Sequence, residues 1–224
     1  MSHEHRHEHG TDSQDPADLR HMFTAEFWDE RYAGSDRVWS GHPNAALVEE
    51  VDGLAPATAV DVGCGEGADV VWLASRGWKV TGVDVSGVAL AKAAEHAARA
   101  GVADRTSWQR ADVFALDPLP VGDLVTASYV HVPPDLFAAV YGHVAASVAP
   151  GGTLVVLAHH PDDQHTGLRN SDLTHLLFTP EAVTALLDPA DWEVVTSRVL
   201  TREHVHEGTS HQVSDTVVRA VRRS

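Results

Sequence analysis

The residues of this 224-residue chain whose types and spacing can do chemistry concentrate in one short run and one acid beyond it. The run is Val60-Asp61-Val62-Gly63-Cys64-Gly65-Glu66-Gly67, and the acid is Asp84. Glycines at alternate positions allow the tight backbone angles and close approach that a ligand-cradling turn requires. An apolar stretch, Ala59 to Val62, precedes the turn, and a helical stretch, Ala68 to Ser75, follows it. The turn therefore joins a strand to a helix. Asp84 ends the next apolar stretch, where a carboxylate accepts two hydrogen bonds from a ribose diol.

Two ligand classes suit such a turn. A nicotinamide dinucleotide calls for G-x-G-x-x-G, whereas the spacing here is G-x-G-x-G, with Ala68 where the third glycine falls. Alanine is accepted there in some dinucleotide sites, so spacing alone leaves both classes open. Asp61 weighs more. A carboxylate beside the turn repels a pyrophosphate but pairs with the α-ammonium of a methionine moiety, which favours S-adenosylmethionine.

Residues 59 to 67 resemble the first motif of class I S-adenosylmethionine-dependent methyltransferases. The resemblance makes Asp84 the ribose-binding acid, with Val85 beside it, and makes Asp112-Val113 the segment that bonds the adenine amino group and packs its ring. Asp123 to Ala127 is similar to the fourth-strand motif, with Ser128-Tyr129-Val130-His131 at the rim of the active site. A narrower likeness is to the small bacterial tellurite-resistance and thiopurine methyltransferases. It rests on Phe27 to Tyr32, Val38 to Gly41, Pro43-Asn44 and the closing Asp215 to Ala220. The cofactor set implied is Tyr32, Trp39, Asp61, Gly63, Cys64, Gly65, Gly67, Asp84, Val85, Asp112, Val113 and Ser128. Tyr32 is expected to reach the methionine carboxylate. Cys64 is read as a small residue beside the cofactor.

Methyl transfer from a sulfonium needs proximity, orientation and a deprotonated acceptor. His131, just past the fourth strand, is the preferred base, and Tyr129 a contact that orients the acceptor. Trp28, Trp39 and His159 are expected to line the acceptor pocket, where aromatic faces favour a positive charge. His159-His160, Asp162-Asp163 and Asn170 suggest an oxygen-rich metal site of the catechol methyltransferase kind. That family also calls for Asp after the fourth strand, where this chain has Ser128 to His131, so no catalytic metal is expected.

The elements that must position these groups are short strands alternating with helices. They predict a doubly wound α/β fold: a seven-stranded, mostly parallel, Rossmann-like sheet with an antiparallel C-terminal edge hairpin. Strands are expected at 59–62, 78–83, 106–110, 123–127, 153–158, 192–202 and 211–219, the last two joined by a turn at 207–210. Helices are expected at 18–32, 44–51, 68–75, 86–100, 134–148 and 180–187, with Ser86 as an N-cap. Residues 1 to 17, rich in His and Glu, read as a disordered tail. Residues 18 to 53 read as a helical cap, and 54 to 224 as a single methyltransferase domain with a substrate lid at 159–178.

Asp and Glu total 32 against 16 Lys and Arg, for a formal charge of -16. Acidity of that size disfavours nucleic-acid and membrane partners. With one cysteine, no apolar signal core and no apolar stretch long enough to span a bilayer, a cytoplasmic monomer or homodimer is expected. The reading is methylation of a small-molecule nucleophile: a thiol, phenol, amine or metalloid anion. The alternatives are an NAD-dependent oxidoreductase, which lacks a Tyr-x-x-x-Lys pair here, and a cofactor-bound regulatory protein without catalysis.

Overall fold

The computed structural model describes residues 18–35, 37–165, 171–206 and 208–224. The tail expected at 1–17, residues 166–170 of the expected lid, Asn170 among them, and Glu207 of the expected turn lie outside these.

The strands are β1 (Thr58–Val62), β2 (Lys79–Asp84), β3 (Thr106–Arg110), β4 (Gly122–Ser128), β5 (Val148–His159), β6 (Trp192–His206) and β7 (Thr209–Arg222). The α-helices are α1 (Ala25–Ala33), α2 (Ala45–Val51), α3 (Ala68–Ser75), α4 (Gly87–Arg99), α5 (Phe137–Ala146) and α6 (Pro180–Thr184). All seven strands form one sheet in the order β3-β2-β1-β4-β5-β7-β6. The first five are parallel, and β7 returns antiparallel between β5 and β6. Such a sheet must be covered on both faces, and period-2 alternation divides β1 accordingly. Ala59 faces a core with Val70, Leu73 and Trp78, while Val60 and Val62 face one with Val140, Tyr141 and Phe178.

Strand order reverses between β1 and β4. A crevice therefore opens at their C-terminal ends, where open α/β sheets place ligands. The glycine turn leaves β1 at this crevice and Ser128 leaves β4 there.

Two elements differ instructively from the sequence reading. The helix expected over 18–32 is a 3-10 helix, Asp18–Phe23, followed by α1. Thr24 divides them because its hydroxyl accepts from the Phe27 amide as an N-cap. The terminal hairpin runs longer than expected, since its polar ends still pair, His204 with His211 and His206 with Thr209. Ser86 caps α4 as expected, accepting from the Ala89 amide at 3.0 Å. Within the expected lid, Pro161–His165 and Ser171–Leu176 are 3-10 helices.

Candidate functional site

The glycine turn takes left-handed angles at Gly63, Gly65 and Gly67, with φ of 70°, 52° and 80°. Amides of Gly63 and Cys64 donate to the Val83 carbonyl at 2.8 and 3.0 Å, which ties the turn to the end of β2. A Cβ on Gly65 would lie 2.8 Å from the Tyr32 hydroxyl, and one on Gly67 would lie 2.8 Å from Ala93 Cβ. Glycine is thus required twice over, by angle and by space.

Three carboxylates gather at this turn. Asp61, buried on β1, accepts from the Thr126 hydroxyl of the neighbouring strand at 2.6 Å. Asp69, in the first turn of α3, accepts from the Asn44 amide and side chain, both at 2.8 Å. Asp84 accepts from the Gly65 amide at 2.8 Å and from the Ser86 amide at 2.9 Å. Burial pushes all three above the usual carboxylate range. The charge of Asp69 adds to the effect at Asp61, and that of Asp29 at Asp84. Burial, then the charges of Asp84 and Asp61, also raises the Cys64 thiol, so Cys64 is no ready nucleophile. Asp112 turns its carboxylate to the Phe114 amide at 2.8 Å, and the half-buried Val113 packs on the core. Val85 offers its carbonyl to Arg110.

The N-terminal elements are fastened over this turn by polar contacts that sequence reasoning did not find. Glu66, inside the turn, accepts from the Val38 and Trp39 amides at 3.0 and 3.2 Å. Lys92 of α4 donates to the Tyr32 carbonyl at 2.6 Å and to the Ser35 carbonyl, and pairs with Glu66 at 3.4 Å. Asp29 accepts from the Ser86 hydroxyl and the Val88 amide at 2.6 and 3.1 Å, at the positive end of α4. Burial opposes ionisation of Asp29, but these bonds and Arg110 outweigh it and hold its carboxyl low. Tyr32 is buried, and its hydroxyl accepts from Trp39 Nε1 at 2.9 Å. Trp39 stays 49% exposed, with the Arg31 guanidinium 5.6 Å above its ring. Trp28 packs between Phe27 and Tyr32, with ring centroids at 5.4 and 5.9 Å.

On the other side of the crevice, Tyr129 follows β4 with φ of 58°, its amide bonded to the Leu157 carbonyl at 2.7 Å. The turn brings its ring to 4.4 Å from that of His159, at the end of β5, and His131 stacks on His159 at 5.1 Å. Asp215, directly opposite His159 on β7, is buried and bonds His159 Nδ1 at 3.3 Å and Arg202 Nε at 2.5 Å. Burial, then the Asp215 charge, pushes the Tyr129 hydroxyl up to about 12. Burial opposes ionisation of Asp215 too, yet His159 and Arg202 hold its carboxyl below the usual range. The structure thus brings together Tyr129, His131 and His159 of the expected acceptor residues. Trp28 and Trp39 belong to the cap over the glycine turn. Among the described residues, no three His, Cys, Asp or Glu side chains converge as a metal-binding group.

A family model described as a methyltransferase domain matches residues 59–152. A curated trans-aconitate 2-methyltransferase of Methylobacterium nodulans is 37% identical over 51% of this chain and 43% of its own length. Thiocyanate methyltransferase 1 of Arabidopsis thaliana is 31% identical over 62% of each chain. Ribosomal RNA small subunit methyltransferase C of Alcanivorax borkumensis is 42% identical over 28% of this chain and 20% of its own length. The chain spans less than two thirds of the length of each of these relatives. Among solved structures, one reported for conversion of a disulfide bond into a thioacetal group in echinomycin biosynthesis superposes with a TM-score of 0.70. It is 21% identical and covers 89% of this chain and 92% of its own. The fold is that of the class I methyltransferases. TehB of Haemophilus influenzae shares this class I fold at a TM-score of 0.67 and 16% identity, over 89% of this chain and 67% of its own.

Proposed function

We propose that this chain is an S-adenosylmethionine-dependent methyltransferase acting on a small-molecule nucleophile by in-line displacement. One observation carries the reading: Asp61, Asp69 and Asp84 crowd a left-handed glycine turn at the switch point, and burial raises each. A ligand with ammonium and sulfonium charges relieves that crowding, whereas the pyrophosphate of a dinucleotide aggravates it. The residues present therefore fit S-adenosylmethionine, which when bound supplies a methyl group on a sulfonium, a leaving group that needs no further activation.

In this reading Asp84 takes the ribose diol, Asp61 faces the ammonium, and Asp112 with Val113 serves the adenine. Gly63, Cys64, Gly65, Gly67, Val85 and Ser128 supply the close-fitting wall. Residues 18 to 53 act as a cap whose Tyr32 and Trp39 exclude water from the crevice. Tyr129, His131 and His159 position the acceptor, and one of the two stacked imidazoles takes its proton. Acceptors of two relatives, named by trans-aconitate and thiocyanate, support the small-molecule class. So does the charge of -16, which disfavours a polyanionic substrate. Among the described residues, no helix is long and apolar enough to cross a membrane.

Calorimetry with S-adenosylmethionine, S-adenosylhomocysteine and NAD tests the cofactor. A panel of thiols, phenols, amines and metalloid oxyanions, assayed for S-adenosylhomocysteine release, tests turnover. Binding of NAD in preference to the sulfonium ligand would sink the reading.

A further inference from the structure

We infer that His159 is the proton acceptor of the site, that Asp215 is the residue which positions it, and that the acceptor arrives as a neutral hydroxyl. The inference rests on the methyltransferase reading above and concerns the half of the crevice that the cofactor leaves over.

The geometry is specific. His159 ends β5 and Asp215 lies directly across from it on the antiparallel β7, so the backbone register alone sets the two side by side. An ionised carboxylate accepts only, so the imidazole nitrogen facing it, Nδ1, must carry the proton. That leaves the lone pair on Nε2, the form in which an imidazole works as a base. Arg202, reaching over from β6 with Nε at 2.5 Å, keeps Asp215 ionised although its side chain is only 2% exposed. Tyr129 and His131 clasp the ring of His159 from the segment after β4, which fixes its plane, while 20% of its side chain stays exposed.

Among the described residues, the charged and titratable groups around His159 include Asp215 from β7, Arg202 from β6, and Tyr129 and His131 after β4. Its chain neighbour His160 pairs with Asp162 at 3.3 Å, and the buried Asp163 bonds the Ser214 amide beside Asp215. Of these, Asp215 contacts the imidazole as a carboxylate, and it raises the proton affinity of Nε2 by stabilising the imidazolium.

A base held in this way is superfluous for a soft anion, which attacks as it stands. It is needed when the acceptor's O–H bond must break, leaving its electron pair on oxygen while the proton passes to Nε2 and afterwards to solvent. A hydroxyl on an unsaturated carbon, phenolic or enolic, lies within reach of an imidazole.

The first test needs no acceptor. Nitrogen NMR of the wild-type protein, with His159→Gln to assign the signal among the 16 histidines, reads which nitrogen bears the proton. The expected result is a proton on Nδ1 at neutral pH, and an imidazole pKa that falls in Asp215→Asn. A proton on Nε2 in the wild type, or an unmoved pKa in a folded Asp215→Asn, overturns the dyad. The second test supplies phenol, catechol and para-nitrothiophenol as probes with S-adenosylmethionine. A hydroxyl probe should be methylated, with a rate that rises with pH and falls on the order of 10²-fold or more in Asp215→Asn, its acid limb moving to lower pH. Methylation of the thiol alone, or of no probe, overturns the acceptor class. Failure of the cofactor to bind in calorimetry would instead remove the methyltransferase reading itself, so the two failures are distinguishable.

Discussion

The two sides of the crevice use the same residue type in opposite ways. Around the glycine turn, Asp61, Asp69 and Asp84 are bonded by neutral donors: a threonine hydroxyl, an asparagine, backbone amides. Each is pushed up, first of all by burial. Across the crevice Asp215 is just as buried, yet it is held low because Arg202 and His159 lie against it. A carboxylate satisfied by dipoles alone still favours a cation. One already paired has its charge spent on orienting its neighbour. Under the proposed function, the first side receives a charged ligand and the second moves a proton.

The comparison can be broken most severely at the cap. Deleting residues 1 to 45 removes Asp29, Tyr32 and Trp39 together, and turnover should vanish, whereas deleting residues 1 to 15 should leave it nearly unchanged. Full activity without residues 1 to 45, in a steady-state assay, would mean that the cap is dispensable. Next in size is the acceptor side: His159→Ala should lower turnover by about 10²–10⁴-fold with cofactor affinity intact, if general-base catalysis dominates. His131→Ala should cost less, about tenfold, as the loss of one stacked wall rather than of the base. A reversed order of the two losses would return the base to His131.

Of comparable size is Asp84→Ala, expected to cost about 1–3 kcal/mol in cofactor affinity through lost ribose hydrogen bonds. Calorimetry on a folded variant reads this directly. The smallest effect is on stability and has the opposite sign. Folded-state pKa values of Asp61, Asp69 and Asp84 are raised, so the unfolded chain holds fewer protons just above the ordinary carboxylate range. Stability of the ligand-free protein from these groups is therefore full below that range and declines as pH rises through the raised values. Asp215, held low, acts the other way, losing its contribution only as pH falls through its depressed value. Asp61→Asn should make the ligand-free protein more stable at neutral pH by about 1 kcal/mol while weakening cofactor binding. A denaturant midpoint below wild type would show that the carboxylate is not under strain.

Legibility from sequence followed the range of the interactions. The glycine turn declares itself because positive φ at three alternate positions demands glycine, and Ser86 because an N-cap is set by its own next residues. The sheet follows from short apolar strands between amphipathic helices. Glu66, Lys92 and Asp29 escaped notice because their partners lie far along the chain: Glu66 reaches back to Val38 and Trp39, and Asp29 forward to Ser86. Asp29 stood inside the Phe27 to Tyr32 run that the family likeness singled out, which was the one available signal. Asp215 likewise stood in a motif at the closing strand. Only the pairing of β7 with β5 reveals that His159 is its neighbour. Thr24 shows the reverse case, a local cap that apolar spacing alone conceals.

Glu66 has a consequence for the order of events. It belongs to the glycine turn, and its carboxylate also holds the Val38 and Trp39 amides of the loop above. The floor and the latch are one residue. Under the proposed function, the nucleoside must then enter before the loop settles and can leave only after it lifts, whereas the acceptor approaches from the other side. Turnover should be ordered, with the cofactor first on and its thioether product last off. That product should inhibit competitively against S-adenosylmethionine, and the lifting of the loop would govern how fast the protein begins its next cycle.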